Sequence, residues 1–397
     1  MEKGNKYCHD CGQPKVEHIN TWMEELLGRV LPSFKLPKKL EEFSDIVIEK
    51  IFTLSKLAKL TTNFTPADIQ LRSSCFMNEM KQRGAVFYAT KTSYGFTNHF
   101  KMELADKTFR FETLPLAKFE SKYPAKLVDD KELAKRHCQN GGFPIAEGQV
   151  FWFWQKDKAV EFAHQIGFPL VVKPRSGSVS RHVTTNIQND EQLEKAMRHS
   201  ISYSPSFIIE KFMEDTSVYR ATVIDFDFVA CIKQVPANIM GDGISTIREL
   251  INQKNADPRR GDPRQKQLTL YKLVENEVTQ NLLDEKMYDD GTILAKDEVF
   301  FLQKNPFLKL GGDLVEVTSI VHPDNLQLFR DLARHFDIRL TGIDFLVNDI
   351  STSWKDQSCA ILELNSAPCI ELHHYPSSGE PTNPAGALAD MFFKYYL

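Results

Sequence analysis

The segment Leu170-Val171-Val172-Lys173-Pro174-Arg175-Ser176-Gly177-Ser178-Val179-Ser180-Arg181 constrains the fold more than any other. Three branched apolar residues in a row, set off by Gly167-Phe168-Pro169 and ended by a lysine, read as a buried strand. A loop of small residues then leads to a second strand, His182 to Asn186. The fold class expected for the chain is α/β (α+β). Lysine at a strand mouth reaches a phosphate as a point charge, while loop N–H groups and hydroxyls cover the remaining oxygens. The segment is not a Walker loop, because the Gly-Lys-Ser/Thr ending before a helix is absent. Taken alone, it reads equally well as a solvated hairpin turn.

The flanking sequence repeats the theme. Helices are expected from Asp129, over Asp157 to Ile166, and over Asn189 to Ser200, with a short apolar strand at Phe207-Ile208-Ile209-Glu210. Earlier, Ile69 to Met80 reads as a helix, Ala85 to Ala89 as a strand, and Phe96 to Leu104 with Thr108 to Leu114 as a hairpin. Trp22, Leu26, Leu27 and Val30 recur at helical spacing near the start, as do Ile46, Ile48, Ile51, Phe52, Leu54 and Leu57. Three units are expected: an N-terminal α/β domain at 1–127, then 128–211, then 212–397 with an insertion at 241–309.

A second constellation lies near the end. Gly342-Ile343-Asp344-Phe345-Leu346-Val347 and Ala360-Ile361-Leu362-Glu363-Leu364-Asn365 each set polar oxygens inside an apolar strand. Glu363 and Asn365 are two apart and share one sheet face. A buried carboxylate is costly unless it meets a cation or a strong donor, and two carboxylates with an amide oxygen suit Mg²⁺. Either strand alone reads as the polar face of a half-exposed strand.

In chain order, these segments resemble the ATP-grasp ligases, closest to the ATP-grasp modules of cyanophycin synthetase and of bifunctional glutamate–cysteine ligase/glutathione synthetase. The matching pieces are Asp130-Lys131, Phe168 to Pro174, Phe207 to Phe212, Val235-Pro236-Ala237-Asn238 and Gly241 to Ile247. Asn255 to Gly261, Gly311-Gly312-Asp313, Gly342-Ile343-Asp344 and Glu363-Leu364-Asn365 complete the set. The resemblance implies an ATP-grasp fold behind a pre-ATP-grasp-like first domain, 128–211 being the small subdomain and 212–397 the large one. It implies ATP and Mg²⁺ (or Mn²⁺), with Lys131 and Lys173 on the phosphates and Ser176, Gly177, Ser178 and Ser180 in a phosphate cover. Glu210, Lys211 and Phe212 would hold adenine, Asp215 or Glu214 the ribose, and Asp344, Glu363 and Asn365 the metal. Arg220 and Lys173 would act on the reacting groups; Arg181, Arg259, Arg260 and His373 would contact substrate. Arg259 and Arg260 read equally as a solvated basic turn, and His373 as a loop residue.

The chain departs from the family at Gln234 and Gln303, where arginines are usual, and at Lys309-Leu310. Two lost arginines imply either a different substrate, with Lys233, Lys304 or Lys309 compensating, or weakened catalysis. With the lysines and metal ligands intact, the expectation is an ATP-dependent carboxylate–amine ligase acting on an amino acid or short peptide; the alternative is a nucleotide-binding module with a regulatory or scaffolding role. A homodimer is compatible with this.

Composition narrows the partners. With 49 basic and 53 acidic residues the net charge is −4, which gives no field pointing to nucleic acid. No apolar stretch approaches a membrane span and the start lacks an apolar run, so a cytoplasmic chain is expected. Seven cysteines, an odd number, fit reduced thiols. Cys8-His9-Asp10-Cys11 can supply half of a tetrahedral zinc site, but completion needs His9 or His18 plus a distant ligand. The pair therefore reads as two dispensable free thiols.

Overall fold

The computed structural model describes residues 8, 14–27, 47, 51–52, 54–115, 127–128, 130–177, 181–262, 265 and 267–397. Contacts divide the chain into two compact units. The first draws on 1–36, 124–216 and 358–363, the second on 37–123, 217–357 and 364–397. Of the helix expected from Ile46 to Leu57, Ile51, Phe52 and Leu54 are helical, Leu57 lies in a bend, and Ile46 and Ile48 fall outside the described residues.

Helix α1 (Lys15–Leu27) belongs to the first unit. Its Trp22 indole donates to the Ile201 carbonyl at 3.2 Å, and Glu25 accepts from Ser204 at 2.6 Å and from Ser206. These partners lie at 201–206, and His18 and Trp22 also meet His182 and Phe153, far along the chain from the first domain with which the helix's sequence position groups it.

The second unit begins with strand β1 (Ala58–Thr61), helix α2 (Leu71–Gln82) and strands β2 (Val86–Thr92), β3 (Gly95–Leu104) and β4 (Lys107–Glu112). The strands form an antiparallel sheet in the order β1-β2-β3-β4. Leu104 pairs with Lys107, and Ala105 and Asp106 between them both take positive φ (48° and 59°), the two-residue turn that suits strand twist. Phe76, Met77 and Met80 of α2 pack with Phe87, Phe100, Phe109 and Phe111 of the sheet.

The first unit resumes at helix α3 (Lys131–Asn140), whose Asp130 cap accepts from the N–H groups of Glu132 (3.0 Å) and Leu133 (3.2 Å). There follow β5 (Gly148–Trp152), α4 (Lys156–Ile166), β6 (Leu170–Pro174), β7 (Thr184–Ile187), α5 (Asp190–Ile201) and β8 (Ser206–Lys211). The four strands pair antiparallel in the order β5-β8-β6-β7. Helices α4 and α5 supply Ala159, Ala163, Leu193 and Met197 to a core with Phe151, Leu170, Val172, Phe207 and Ile209. Leu170 and Val172 are fully buried while Val171 and Lys173 are half-buried, the alternation of a strand with one face on the core.

The second unit continues with β9 (Ser217–Ile224) and β10 (Phe228–Val235). An inserted body carries α6 (Ile247–Asn255) and α7 (Glu277–Lys286) around its own core of Ile239, Ile247, Ile251, Leu283, Phe300 and Leu302. After it come β11 (Asp313–Glu316), α8 (Pro323–His335), β12 (Leu340–Val347), β13 (Cys359–Asn365), α9 (Glu371–His374) and α10 (Pro384–Tyr396). The large sheet has the order β11-β10-β9-β12-β13, and Leu364 and Asn365 of β13 fall in the second unit. Helix α10 returns Leu388, Ala389 and Phe392 to the core begun by α2 and β2–β4.

Among the described residues no helix is long and apolar enough to cross a membrane. The described cysteines are unbridged, and burial pushes the Cys75 and Cys138 thiols up to about 12.

Candidate active site

In the first unit, sheet alternation puts a cluster of charges on the face of β6 and β8 away from the core. Val171 is paired with Glu210, so Lys173 stands diagonal to Glu210 on the same face. The Lys173 ammonium lies 2.7 Å from one oxygen of Glu210, and Lys135 of α3 lies 2.8 Å from the other. Burial pushes the Glu210 carboxyl up, but the attraction of Lys173 and Lys135 prevails and holds it below the usual range. Gly148 sits opposite Glu210, and a Cβ there would come within 2.6 Å of both Glu210 Cγ and the Ile209 carbonyl oxygen. Only glycine fits that position.

Lys131, in the first turn of α3, donates to the backbone carbonyl of Gly177. Burial lowers its pKa; Glu363 and Glu210 raise it and Lys173 lowers it further. The ammonium of Lys131 therefore feels Lys173 as a like charge and Glu363 as its main counter-charge. Arg175 binds Asp130 and Glu132 at 2.9 and 3.0 Å and anchors the loop stem to the start of α3. Ser176, Gly177 and Arg181 flank the loop; Ser178 and Ser180 lie outside the described residues. Lys211 donates to the carbonyls of Gly167 (3.0 Å) and Phe168 (2.8 Å), and the Phe212 amide donates to Pro169 at 3.0 Å. Asp215 is exposed in a turn with φ of 54°.

In the second unit, Arg220 of β9 and Asp344 of β12 face each other across the antiparallel ladder. The guanidinium grips both carboxylate oxygens, Nε on Oδ1 and Nη2 on Oδ2 at 2.7 Å. Gly342 leaves space for this fork, since a Cβ there would meet Arg220 Cδ at 3.3 Å. A second arginine, Arg72 of α2, had no sequence signal. It donates to the Ala367 carbonyl at 2.9 Å and to Cys369 Sγ at 2.8 Å, and its Nε lies 3.4 Å from Glu371. Burial pushes the Glu371 carboxyl up, and the pull of Arg72 does not cancel it. Arg72 and Arg220 are close enough to repel one another. Lys135, Arg72 and Glu371 are the site residues that sequence reasoning missed, because each reaches its partners through tertiary packing.

Other expected residues are otherwise engaged. Arg260 is buried, donating to the carbonyls of Tyr271 (2.8 Å) and Gly311 (3.1 Å) and to Asp313, to which Lys254 also binds at 2.6 Å. That network fastens the inserted body to β11 and leaves Arg260 no fork for a substrate. Arg259 is exposed and held by Asp257 at 2.8 Å. His373, expected near a substrate mouth, is fully buried: Nδ1 donates to Glu316 at 3.0 Å and Nε2 lies 2.8 Å from the Thr222 hydroxyl. It is a core histidine. Gln303, where an arginine is usual, is also buried; its amide donates to Val274 O, Asn276 Oδ1 and Thr279 Oγ1 at 3.0 to 3.1 Å. An arginine there would bury a charge among neutral acceptors. Lys304 pairs with Glu285 at the surface (3.2 Å), and Lys233 lies 5.8 Å from the centre of the Tyr219 ring.

Asp344 and the Asn365 amide, both of the second unit, offer hard oxygens of the kind Mg²⁺ takes, those of Asp344 being held by Arg220. The amide nitrogen of Asn365 is buried without a hydrogen-bond partner among the described residues. That orphan is consistent with an amide oriented by what its oxygen binds.

The family model "Carbamoyl-phosphate synthase L chain, ATP binding domain" matches residues 130–266. Cyanophycin synthetase of Synechocystis sp. is 34% identical over 271 residues, which is 68% of this chain and 30% of that protein. The glutathione biosynthesis bifunctional protein of Streptococcus mutans is 31% identical over 257 residues, 63% of this chain and 33% of that protein. The chain thus spans about a third of the length of these relatives. The crystal structure of a bifunctional glutathione synthetase from Pasteurella multocida superposes with a TM-score of 0.63 at 22% identity, covering 83% of this chain and 44% of that one, and shows the shared fold. The chain carries an ATP-grasp domain.

Proposed function

We propose that the protein is an ATP-dependent carboxylate–amine ligase that releases ADP and phosphate. The observation that carries this reading is the charge cluster of Lys131, Lys135, Lys173, Glu210 and Glu363, half-buried around a buried Glu210, in an ATP-grasp domain. Lys131 and Lys173 bring their ammonium groups close enough to repel one another, the electrostatics that anionic phosphate oxygens relieve. In this reading Lys131 and Lys173 hold phosphates, and the loop from Ser176 to Arg181 covers them. Backbone groups at Glu210, Lys211 and Phe212 meet adenine, and Asp215 or Glu214 the ribose. Asp344, Glu363 and Asn365 hold Mg²⁺, which supplies charge neutralisation at the transferring phosphoryl group.

A substrate carboxylate attacks the terminal phosphorus, giving an acyl phosphate and ADP; an amine then attacks the acyl carbon and phosphate leaves. Arg220 and Arg72 carry the planar donors suited to the carboxylate or its phosphate. The substrate class this supports is an amino acid or short peptide. The loss of the usual arginine at Gln303 does not argue for a weakened module, because that position is buried and its amide nitrogen donates to neutral acceptors.

The test is hydroxylamine trapping with identification of the nucleotide product. Pools of amino acids and dipeptides are expected to yield a hydroxamate with stoichiometric ADP. AMP with pyrophosphate, or no substrate-dependent ADP from any pool, overturns this function.

A further inference from the structure

The structure brings together three metal-ligating side chains that are remote in sequence and are not members of the charge cluster. Cys8, His18 of α1 and His182 each offer one ligand atom, and these atoms all lie within 4.8 Å of one another. Cys8 Sγ is 3.6 Å from His182 Nε2. Tetrahedral zinc with its usual bond lengths sets sulfur and nitrogen ligands about 3.5 Å apart. Cys8 is half-buried and both histidines are buried.

The second shell is also in place. His182 Nδ1 donates to the His199 carbonyl at 2.9 Å, and His18 Nδ1 donates to the Ser202 carbonyl at 3.2 Å. A carbonyl can only accept, so each ring donates through Nδ1, which makes Nε2 its metal-ligating atom. Ser202 reinforces the arrangement, its hydroxyl donating to His199 O at 2.7 Å and lying 3.2 Å from His182 Nδ1. His182 holds φ of 54°, a conformation non-glycine residues seldom adopt.

We propose that Cys8, His18 and His182 bind one zinc ion. A thiolate with two imidazoles, each imidazole oriented by a backbone carbonyl, is a zinc ligand set, whereas Mg²⁺ and Ca²⁺ take oxygen. Binding releases the Cys8 proton, and the ion draws the widest-spaced ligands inward. The fourth position of a tetrahedron belongs to water or a further ligand; Cys11, second in the CxxC spacing, lies outside the described residues. His182 directly follows Arg181, so the ion ties α1 to the end of the loop read above as the phosphate cover. Tyr203 extends the tie: its ring contacts both histidines (centroids 4.9 and 5.2 Å) and crowds Gly177, where a Cβ would come within 2.7 Å.

The consequence for the loop rests on the nucleotide reading, but the metal site does not, and metal content tests it alone. The full chain, loaded from buffered zinc and desalted, is expected to carry one zinc per chain. Cobalt in its place should give a thiolate charge-transfer band and intense tetrahedral d–d bands. Cys8→Ser and His182→Asn are expected to weaken zinc binding by at least about tenfold. Asparagine tolerates the backbone angle at 182, so a folded variant that has lost only the ligand is available. Chelation should lower the Tm of the wild type and leave that of His182→Asn unchanged. A wild-type chain that takes up no zinc and melts identically with and without it overturns the proposal, as does full zinc retention by both variants.

Discussion

Glu210 is the residue on which the charge cluster turns, since it holds two ammonium groups at 2.7 and 2.8 Å. Lys173→Ala removes one of them without opening a core cavity, because the side chain lies on the face away from Leu170 and Val172. The expected result is a folded protein whose ATP turnover falls by at least about a hundredfold; wild-type turnover in the folded variant would sink the phosphate role. Because its carboxyl is held below the usual range, Glu210 stabilises the folded state above about pH 4.3 and loses that contribution as pH falls through its lower folded value. Denaturant unfolding of wild type against Glu210→Gln over a pH series should show a stability gap at neutral pH that closes in acid. Gln303→Leu strands the Val274 carbonyl and should cost about 1–3 kcal/mol while leaving turnover near wild type. A large loss of turnover with unchanged Tm would instead give Gln303 a chemical role. Lys173 stood out because a charge ending an apolar strand breaks a local rule, whereas the side-chain pairing of Glu210 with Lys173 and Lys135 was not readable. His182 was not, since its partners Cys8 and His18 lie more than 160 residues away and no spacing announces them.

At the scale of elements, periodicity carried most of the fold. The alternation of β6, the Asp130 and Asn189 caps, and the turn at Ala105-Asp106 each sit where a local physical rule puts them. What periodicity lacks is pairing: nothing in β5 says that it lies beside β8, or that Gly148 must face Glu210. That contact gives a prediction at this scale. Gly148→Ala forces a methyl into the Ile209 carbonyl and Glu210 Cγ, which should cost about 1–3 kcal/mol through local separation of the two strands. Because Glu210 shifts with its strand, the variant should also bind nucleotide more weakly. A variant with wild-type Tm and affinity would show that the ladder yields at that point without consequence.

For the whole molecule, the organisation hardest to read from sequence is the sharing of one core by distant stretches. Residues 58–114 read locally as a small α/β body, yet their buried face is completed by Leu388, Ala389 and Phe392. Phe392 meets Phe109 edge-to-face at 4.9 Å and Phe76 at 6.3 Å. Phe392→Ala should therefore cost about 3–5 kcal/mol, and hydrogen exchange should quicken in β2–β4 as well as in α10. Quickening confined to α10 would show that the early sheet closes its core unaided.

That shared core also fixes an order of events during synthesis. The sheet of β1–β4 leaves the ribosome early, but the helix that covers it follows some 270 residues later (β4 ends at Glu112, α10 begins at Pro384). At about 5–20 residues per second the apolar face of Phe87, Phe100, Phe109 and Phe111 waits uncovered for roughly a quarter of a minute or more. The sheet of β5–β8 and its two helices need only residues 148–211 for their core and can close meanwhile. A nascent chain stalled before residue 384 should thus present a folded small sheet beside a sticky aromatic one, a natural target for a chaperone that captures exposed phenylalanines.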